Sequence, residues 1–310
     1  MVNRVTGARH VGATDNVMVE RDFYAYESVS GGISYDIEKR LAGVEGAGGA
    51  AIKRIVAGYF DPSPADRTAL AAFMAFQLVR SRKVRRQQEM NADAYQKALL
   101  RGMDEGEIKL RLDATGRPAT DSEVRATVES LTNLDDHEFV PTPEDHLRTM
   151  LHVAERLFPT LLAMRIDVVE WGARRLLTSD HPIVYFKRNP HPLMGYGLEN
   201  CDQVWFPVDP KHVIVMSHRG PVDPPERVVQ GTAEFAEEVN YLVAWHAYEW
   251  IVMHPDDDHL ADLKDFKYEA LPFVEVLSDA GLPDLAALGE VPRRRSPRRV
   301  RKRRGAAGPG

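Results

Sequence analysis

One amphipathic segment, residues 63–86 (SPADRTALAAFMAFQLVRSRKVRR), constrains the fold more than any other part of the sequence. Ser63 is a favourable N-cap and Pro64 suits a first helical position, so the segment predicts one long helix. Its apolar stripe keeps a helical spacing but includes two polar side chains. The stripe consists of Leu70, Phe73, Gln77, Arg80 and Val84. Gln77 and Arg80 are therefore expected among buried residues, where an arginine requires a carboxylate or another strong acceptor.

A preceding helix is predicted over residues 34–57 and is joined to the first by a short proline-rich turn. The short connection makes the two helices antiparallel neighbours, with Glu45 and Arg80 equally far from the turn. Glu45 is therefore the expected partner of Arg80, and the glycines between residues 46 and 49 leave room for Gln77. Two interpretations follow: a structural ion pair that fixes the register of the hairpin, or part of a functional site.

Length and composition are those of a soluble globular protein. The chain has 310 residues, of which 44% are hydrophobic and 28% charged. It contains neither a membrane-spanning apolar run nor a secretory leader, which predicts a cytoplasmic protein without a membrane partner. Its one cysteine, Cys201, has the acidic neighbours Glu199 and Asp202, which disfavour a nucleophilic thiolate.

The C-terminal tail, residues 291–310, is strongly basic, whereas the rest of the chain is acidic. The tail holds nine Lys and Arg residues and no acid, and removing their charge from the formal net charge of −6 leaves −15. The tail is predicted to be disordered, and it is a candidate for weak, nonspecific contact with nucleic acid. The alternative is a solubilising or dispensable end.

The periodicity of the sequence changes from helical to strand-like near residue 164, which predicts an α+β fold. A helical layer, about residues 34–163, packs on a mainly antiparallel sheet of five or six strands at about 164–254. The expected strands are 164–171, 174–180, 182–187, 203–209, 212–217 and 249–254, with a further strand-like segment at 17–26. A C-terminal helical extension, 255–290, completes a single domain over residues 1–290.

The sharpest motif is Leu177-Thr178-Ser179-Asp180-His181-Pro182, which follows a predicted strand. Side chains at a strand end can be aimed at a ligand. Asp180 is thus a candidate base, metal ligand or partner of Arg80. The alternative is a turn in which Asp180 caps backbone amides. Ser179 is not expected to be a triad nucleophile, because it lacks a glycine-flanked elbow and His181 is too near in sequence to act as its base.

Cofactor motifs are weak. The segment 254–259 (HPDDDH) resembles a metal cluster but lacks the alternating spacing and glycine of a calcium loop, which favours a solvated acidic loop. The glycines of residues 44–53 lack the GK[ST] of a phosphate-binding loop. The cofactor is therefore unknown, with a divalent metal ion as one candidate.

The order of these motifs resembles domain-of-unknown-function family 4238, which is mainly bacterial. The resemblance rests on the segments IEKRLAGVE, FQLVRSR, LLTSDHP and WFPVDPKHVIVMS, followed by Val239-Asn240, and covers roughly residues 17–253. It implies that the recurring polar positions are Glu38 or Glu45, Gln77, Arg80, Ser179, Asp180 and Asn240. It carries no established activity.

The chain departs from the family pattern at its start. Family members usually open with a His-Tyr-Val-Pro segment, whereas this chain has only His10-Val11. The expectation is that the start codon is misplaced or that an N-terminal piece is lost. If the histidine segment belongs to a site, this copy is incomplete.

The first functional hypothesis is a hydrolase-like enzyme acting on a phosphodiester or another small anionic substrate. Asp180 and Glu45, or Glu38, are its predicted catalytic acids. Its predicted binding residues are Arg80, Gln77, Ser179 and Asn240. The alternative is a non-catalytic module that binds a small anion or a protein, with the basic tail as an accessory contact to nucleic acid.

Overall fold

The computed structural model describes residues 1–12, 26–27, 33–57, 62–114, 116–131, 134–191, 195–261, 263, 266–268 and 299–301. The chain forms two compact units. The first comprises Met1–Arg85 and Leu147–Pro272, and the second comprises Arg86–His146 and Phe273–Gly310. Two compact units can still belong to one domain, so the single domain of residues 1–290 stays a prediction.

Seven helices lie in the described part of the chain: α1 (Asp36–Val56), α2 (Pro64–Val79), α3 (Arg82–Arg101), α4 (Glu105–Asp113), α5 (Asp121–Leu131), α6 (Pro143–Ala163) and α7 (Ala233–His246). The predicted start of α2 is confirmed, since the Ser63 hydroxyl accepts from the Asp66 N–H and the Asp66 carboxylate accepts from the Ser63 N–H. The prediction of one helix over residues 63–86 is wrong. The chain bends at Arg80–Ser81, and α3 begins with Ser81 at its N-terminus.

A five-stranded sheet forms the centre of the first unit. Its order is β10 (Val228–Gln230), β5 (Arg165–Glu170), β9 (His212–Ser217), β8 (Gln203–Asp209) and β7 (Val184–Phe186), and only the β10–β5 pair is parallel. The predicted α+β class is therefore confirmed.

The expected strands at 174–180 and 249–254 do not join this sheet. They contribute only β6 (Thr178–Ser179) and β11 (Trp250–Val252). β11 pairs with both β6 and β1 (Val2–Asn3), which gives a second, three-stranded sheet of order β1-β11-β6. The single-sheet prediction is corrected in this respect. Short strands β2 (Tyr26–Glu27) and β3 (Ile33–Ser34) pair with each other.

Both faces of the five-stranded sheet are covered by helices. One face, which includes Ile166, Phe206 and Ile214, packs with residues of α1, α2 and α6. The opposite face, which includes Trp205 and Val213, packs with residues of α7. Successive residues of a strand point to opposite faces, so β8 and β9 are continuous apolar runs rather than alternating ones.

Close packing of α1 on α2 explains one glycine of the glycine-rich segment. A Cβ atom at Gly48 would lie 2.4 Å from the Phe73 Cβ atom, whereas one at Gly43, Gly46 or Gly49 would meet nothing within 4 Å. The sequence suggested that the glycines make room for Gln77, but the space at Gly48 is taken by Phe73.

Parts of the sequence predictions fall beyond the described residues. These include residues 17–25 of the first expected strand and most of the tail, of which Arg299–Arg301 form strand β12 against β4 (His137–Phe139). The described residues between 255 and 268 form turns and irregular structure, while the rest of the predicted helical extension is outside the described ranges. Within the described ranges, each helix is too short or too polar to cross a bilayer.

Candidate functional site

The predicted contact between α1 and α2 is present. Arg80, at the C-terminal end of α2, donates to the side-chain oxygens of both Glu45 and Gln77. The cluster is less buried than its stripe suggested: the Arg80 side chain is 23% exposed and that of Glu45 is 47% exposed. Glu38 lies exposed on α1. Glu45, Gln77 and Arg80 therefore form a group at the surface.

Asp180 makes a different set of contacts. Its carboxylate accepts the backbone N–H groups of Tyr248, Glu249 and Trp250 at 2.8, 2.7 and 3.1 Å. Burial raises the pKa of Asp180, and the three hydrogen bonds act in the opposite direction. This is the amide-capping arrangement that the sequence allowed as the alternative for Asp180, and it holds β6 next to β11.

Ser179 and Asn240 are both buried and hydrogen-bonded to backbone. The Ser179 hydroxyl accepts the N–H of His181 at 3.2 Å. The Asn240 side chain accepts the N–H of Leu177 at 3.0 Å and donates to the carbonyl of Arg175 at 2.8 Å. Both side chains of the predicted set therefore fix the segment that leads into the Thr-Ser-Asp-His-Pro motif.

A second polar cluster joins this motif to the bend between α2 and α3. The Ser81 hydroxyl oxygen lies 3.1 Å from Nδ1 of His181, 100 residues away in sequence, and it also accepts the N–H of Val84 at 3.3 Å. Ser81 is buried, with 8% of its surface exposed. Burial, with the nearby charge of Lys83, lowers the pKa of His181 to about 3, so its imidazole is neutral near pH 7.

Lys83 lies beside a second neutral imidazole. Its Nζ atom is 3.3 Å from Nδ1 and 3.3 Å from the carbonyl oxygen of His246, the last residue of α7. Burial lowers the pKa of Lys83 to about 8, and burial followed by the Lys83 charge lowers that of His246 to about 4. Among the described residues, no carboxylate lies within 4 Å of the Lys83 ammonium group.

Two further charged groups, Arg4 and Asp180, act on Lys83 electrostatically. Arg4, which is fully buried between the rings of Trp245 and Phe266, acts on Lys83 electrostatically and lowers its pKa further. Asp180 attracts Lys83 from a distance, but its oxygens are occupied by backbone N–H groups. Glu249 forms an ion pair of 2.6 Å with Arg82.

Sequence reasoning missed Ser81, Lys83 and His246, and it noted His181 only as a motif residue. Ser81 and Lys83 directly follow Arg80, but they were read as the continuation of one helix. The signal that could have revealed them is the series of bulky cations at residues 80, 82 and 83 around a serine, which is a good N-cap.

Two further sequence predictions concern reactive groups. The pKa of Cys201 is raised to about 11, first by burial and also by the charge of Asp202, and its thiol contacts the carbonyl of Leu198 at 3.5 Å. The raised pKa agrees with the prediction that the acidic neighbours of Cys201 disfavour the thiolate. In the acidic loop, Asp257 pairs with Arg174. In the described residues, the His, Cys, Asp and Glu side chains form no group of three that could hold a metal ion.

The structure is an α+β fold with a largely buried polar cluster where the α2–α3 bend meets His181 and His246. A model for a family described as proteins of unknown function, DUF4238, matches residues 2–257. The chain therefore belongs to domain-of-unknown-function family 4238. No curated protein and no solved structure matches it.

Proposed function

We propose that this protein is a hydrolase-like protein that binds a small anionic substrate through Lys83. The observation that supports the proposal is the ammonium group of Lys83, which is largely buried and contacts only neutral groups of His246 among the described residues. A desolvated cation without a carboxylate is costly, and an anionic ligand offsets that cost.

The chemical groups beside Lys83 suit hydrolysis of such a ligand. Ser81 supplies a hydroxyl, and His181 and His246 supply imidazoles that are neutral near pH 7, the form in which a ring nitrogen has a free lone pair. The role first predicted for Arg80, binding of the anion, is thereby assigned to Lys83. Asp180 takes a positioning role, since its three hydrogen bonds hold the β6–β11 junction.

The experiment is a thermal-unfolding titration with inorganic phosphate as the probe. A ligand that binds only the folded chain stabilises it by about 2.7 kcal/mol at a concentration a hundredfold above its Kd. We expect phosphate to raise the Tm of the wild type and not that of Lys83→Met. The matched control is Lys187→Met, because Lys187 is partly buried but already pairs with Asp202 at 3.0 Å. An equal phosphate response in Lys83→Met and wild type would refute the proposal.

A non-catalytic small-anion-binding module is the second candidate, and the burial of Ser81 favours it. Only 8% of the Ser81 surface is exposed, which restricts the approach of a substrate to its hydroxyl. Under this alternative, phosphate stabilises the wild type, yet no anionic ester is hydrolysed faster by the wild type than by Lys83→Met. A cytoplasmic location in a bacterial cell is part of both proposals. Contact of the basic tail with nucleic acid stays a prediction, tested by the salt dependence of DNA binding with and without residues 291–310.

A further inference from the structure

Resting on the proposed function, we infer that Ser81 is the nucleophile of this site and that His181 is its general base. Three structural features support this assignment: the contact between Ser81 and His181, the position of Ser81 at the start of α3, and the cation on Lys83 in the first turn of the same helix.

The hydrogen bonds of Ser81 leave its hydroxyl proton available to His181. The Val84 N–H donates to Oγ at 3.3 Å, and the Nδ1 atom of His181 lies 3.1 Å from the same oxygen. With its ring proton on Nε2, neutral His181 accepts the Ser81 proton at Nδ1. A serine hydroxyl paired with an imidazole is the arrangement that activates a serine for attack.

Helix α3 favours the charge that develops in such a reaction. Ser81 lies at its N-terminus, where the backbone dipole favours negative charge, and Lys83 adds a full positive charge within the first turn. Both stabilise the oxyanion formed when Ser81 attacks an ester.

The proposed reaction needs no reagent other than water. The Ser81 Oγ atom bonds to the acyl carbon or phosphorus of an anionic ester while its proton passes to His181. The bond to the leaving oxygen breaks, and that oxygen takes the proton from His181 and departs as an alcohol. Water, deprotonated by His181, then attacks the serine ester. The bond to the Ser81 oxygen breaks, that oxygen takes the proton back from His181, and the acid is released.

Two other serines of the chain provide a comparison. Ser63 is also an N-cap, but its hydroxyl donates to the carboxylate of Asp66 at 2.7 Å and has no imidazole partner among its hydrogen bonds. Among the described residues, the Ser179 hydroxyl contacts a backbone N–H, that of His181, and no imidazole. Ser81 and Ser63 both cap a helix, but Ser81 has an imidazole as its partner whereas Ser63 has a carboxylate.

A fluorophosphonate probe tests the assignment on the full-length chain. Its reaction forms the Oγ–P bond and expels fluoride, and it requires an activated serine. We expect one adduct on the wild type, at Ser81, mapped with a protease other than trypsin because Arg80 and Arg82 flank this residue. Ser81→Asn keeps a good N-cap but removes the hydroxyl, so it should fold and lose the adduct. Ser63→Asn, the matched control, should be labelled at the wild-type rate, and His181→Gln about a hundredfold more slowly.

Labelling that persists in Ser81→Asn, or a wild type that stays unlabelled where a known serine hydrolase reacts, would overturn the inference. The phosphate titration separates this failure from that of the proposed function. If phosphate still stabilises Ser81→Asn but not Lys83→Met, the anion site stands and only the nucleophile is wrong. If phosphate stabilises neither the wild type nor any variant while Ser81 is labelled, the nucleophile stands and the anion site is wrong.

Discussion

The hydroxyl oxygen of Ser81 lies 3.1 Å from Nδ1 of His181. This contact links the bend that ends α2 to the turn that follows β6, two segments 100 residues apart. Both segments belong to motifs on which the family resemblance rests, and each would be an ordinary turn if considered alone. Their meeting places a hydroxyl, an amine and two neutral imidazoles in one largely buried region.

Acid should destabilise the protein through the two imidazoles of this region. The folded-state pKa values of His181 and His246, about 3 and about 4, lie below the usual 6.5. The unfolded chain therefore binds protons that the folded chain does not, and the free energy of unfolding falls as the pH falls below about 6.5. We expect urea titrations between about pH 6.5 and pH 4.5 to show a loss on the order of a few kcal/mol.

Carboxylates also contribute to acid sensitivity, so the slope of stability against pH is compared between variants. The double variant His181→Asn, His246→Asn should have a clearly flatter slope than the wild type. His152→Asn, which changes an exposed histidine, should keep the wild-type slope. Identical slopes in all three proteins would show that the buried imidazoles are not the groups that titrate.

Asn240 should matter more for stability than for binding. Asn240→Ala leaves the Leu177 N–H and the Arg175 carbonyl without their partner, at a cost of about 1–3 kcal/mol for each buried group. Asn91→Ala, at an exposed position on α3, should change stability by less than about 0.5 kcal/mol. Urea denaturation at pH 7 measures both. A loss of phosphate binding in Asn240→Ala without a loss of stability would instead support the ligand-binding role predicted from the sequence.

Two glycines of α1 should respond in opposite directions to replacement by alanine. Gly48→Ala forces α1 and α2 apart, because the new Cβ atom would lie 2.4 Å from that of Phe73, so the Tm should fall. Gly46→Ala meets no atom within 4 Å and should stabilise the helix by about 0.5–1 kcal/mol. If both variants shift the Tm in the same direction, α1 does not pack on α2 as described here.

The Glu45–Arg80 ion pair should contribute little to stability. Exposed pairs typically contribute about 0.2–1 kcal/mol, and Glu45 is 47% exposed. A double-mutant cycle with Glu45→Gln and Arg80→Met is expected to give a coupling energy in that range, and one that falls at high salt. A coupling well above this range would mean that the pair is buried in solution and would restore the sequence-based interpretation of the stripe.

The sequence predicted the secondary structure that local signals determine. Ser63 and Pro64 marked the start of α2, and the strands at 203–209 and 212–217 were predicted with their observed bounds. The short turn, from which Glu45 and Arg80 are equally far, also predicted their contact. The sequence did not predict how exposed this ion pair is. Periodicity shows which face of a helix is apolar, but it does not show how much of that face a neighbouring element covers.

The cluster around Ser81 was beyond sequence reasoning for a physical reason. Helical periodicity continues to Val84, so nothing in the spacing announces the bend at Arg80–Ser81. His181 lies 100 residues beyond its partner Ser81, and His246 lies 163 residues beyond its partner Lys83. Only tertiary structure brings them together. The sequence singled out Asp180 as a candidate functional residue or a cap of backbone amides. The amides that occupy its carboxylate belong to residues 248–250, which carry no distinctive pattern.

The most direct measurement is an NMR pH titration of the Lys83 side chain, followed through its ε-carbon with and without inorganic phosphate. The structure predicts a pKa of about 8, because burial disfavours the charged amine, and a rise of this pKa when phosphate binds and stabilises the ammonium form. A pKa near the usual 10.5 that does not change when phosphate is added would contradict the proposal that Lys83 is a desolvated cation that binds a small anion.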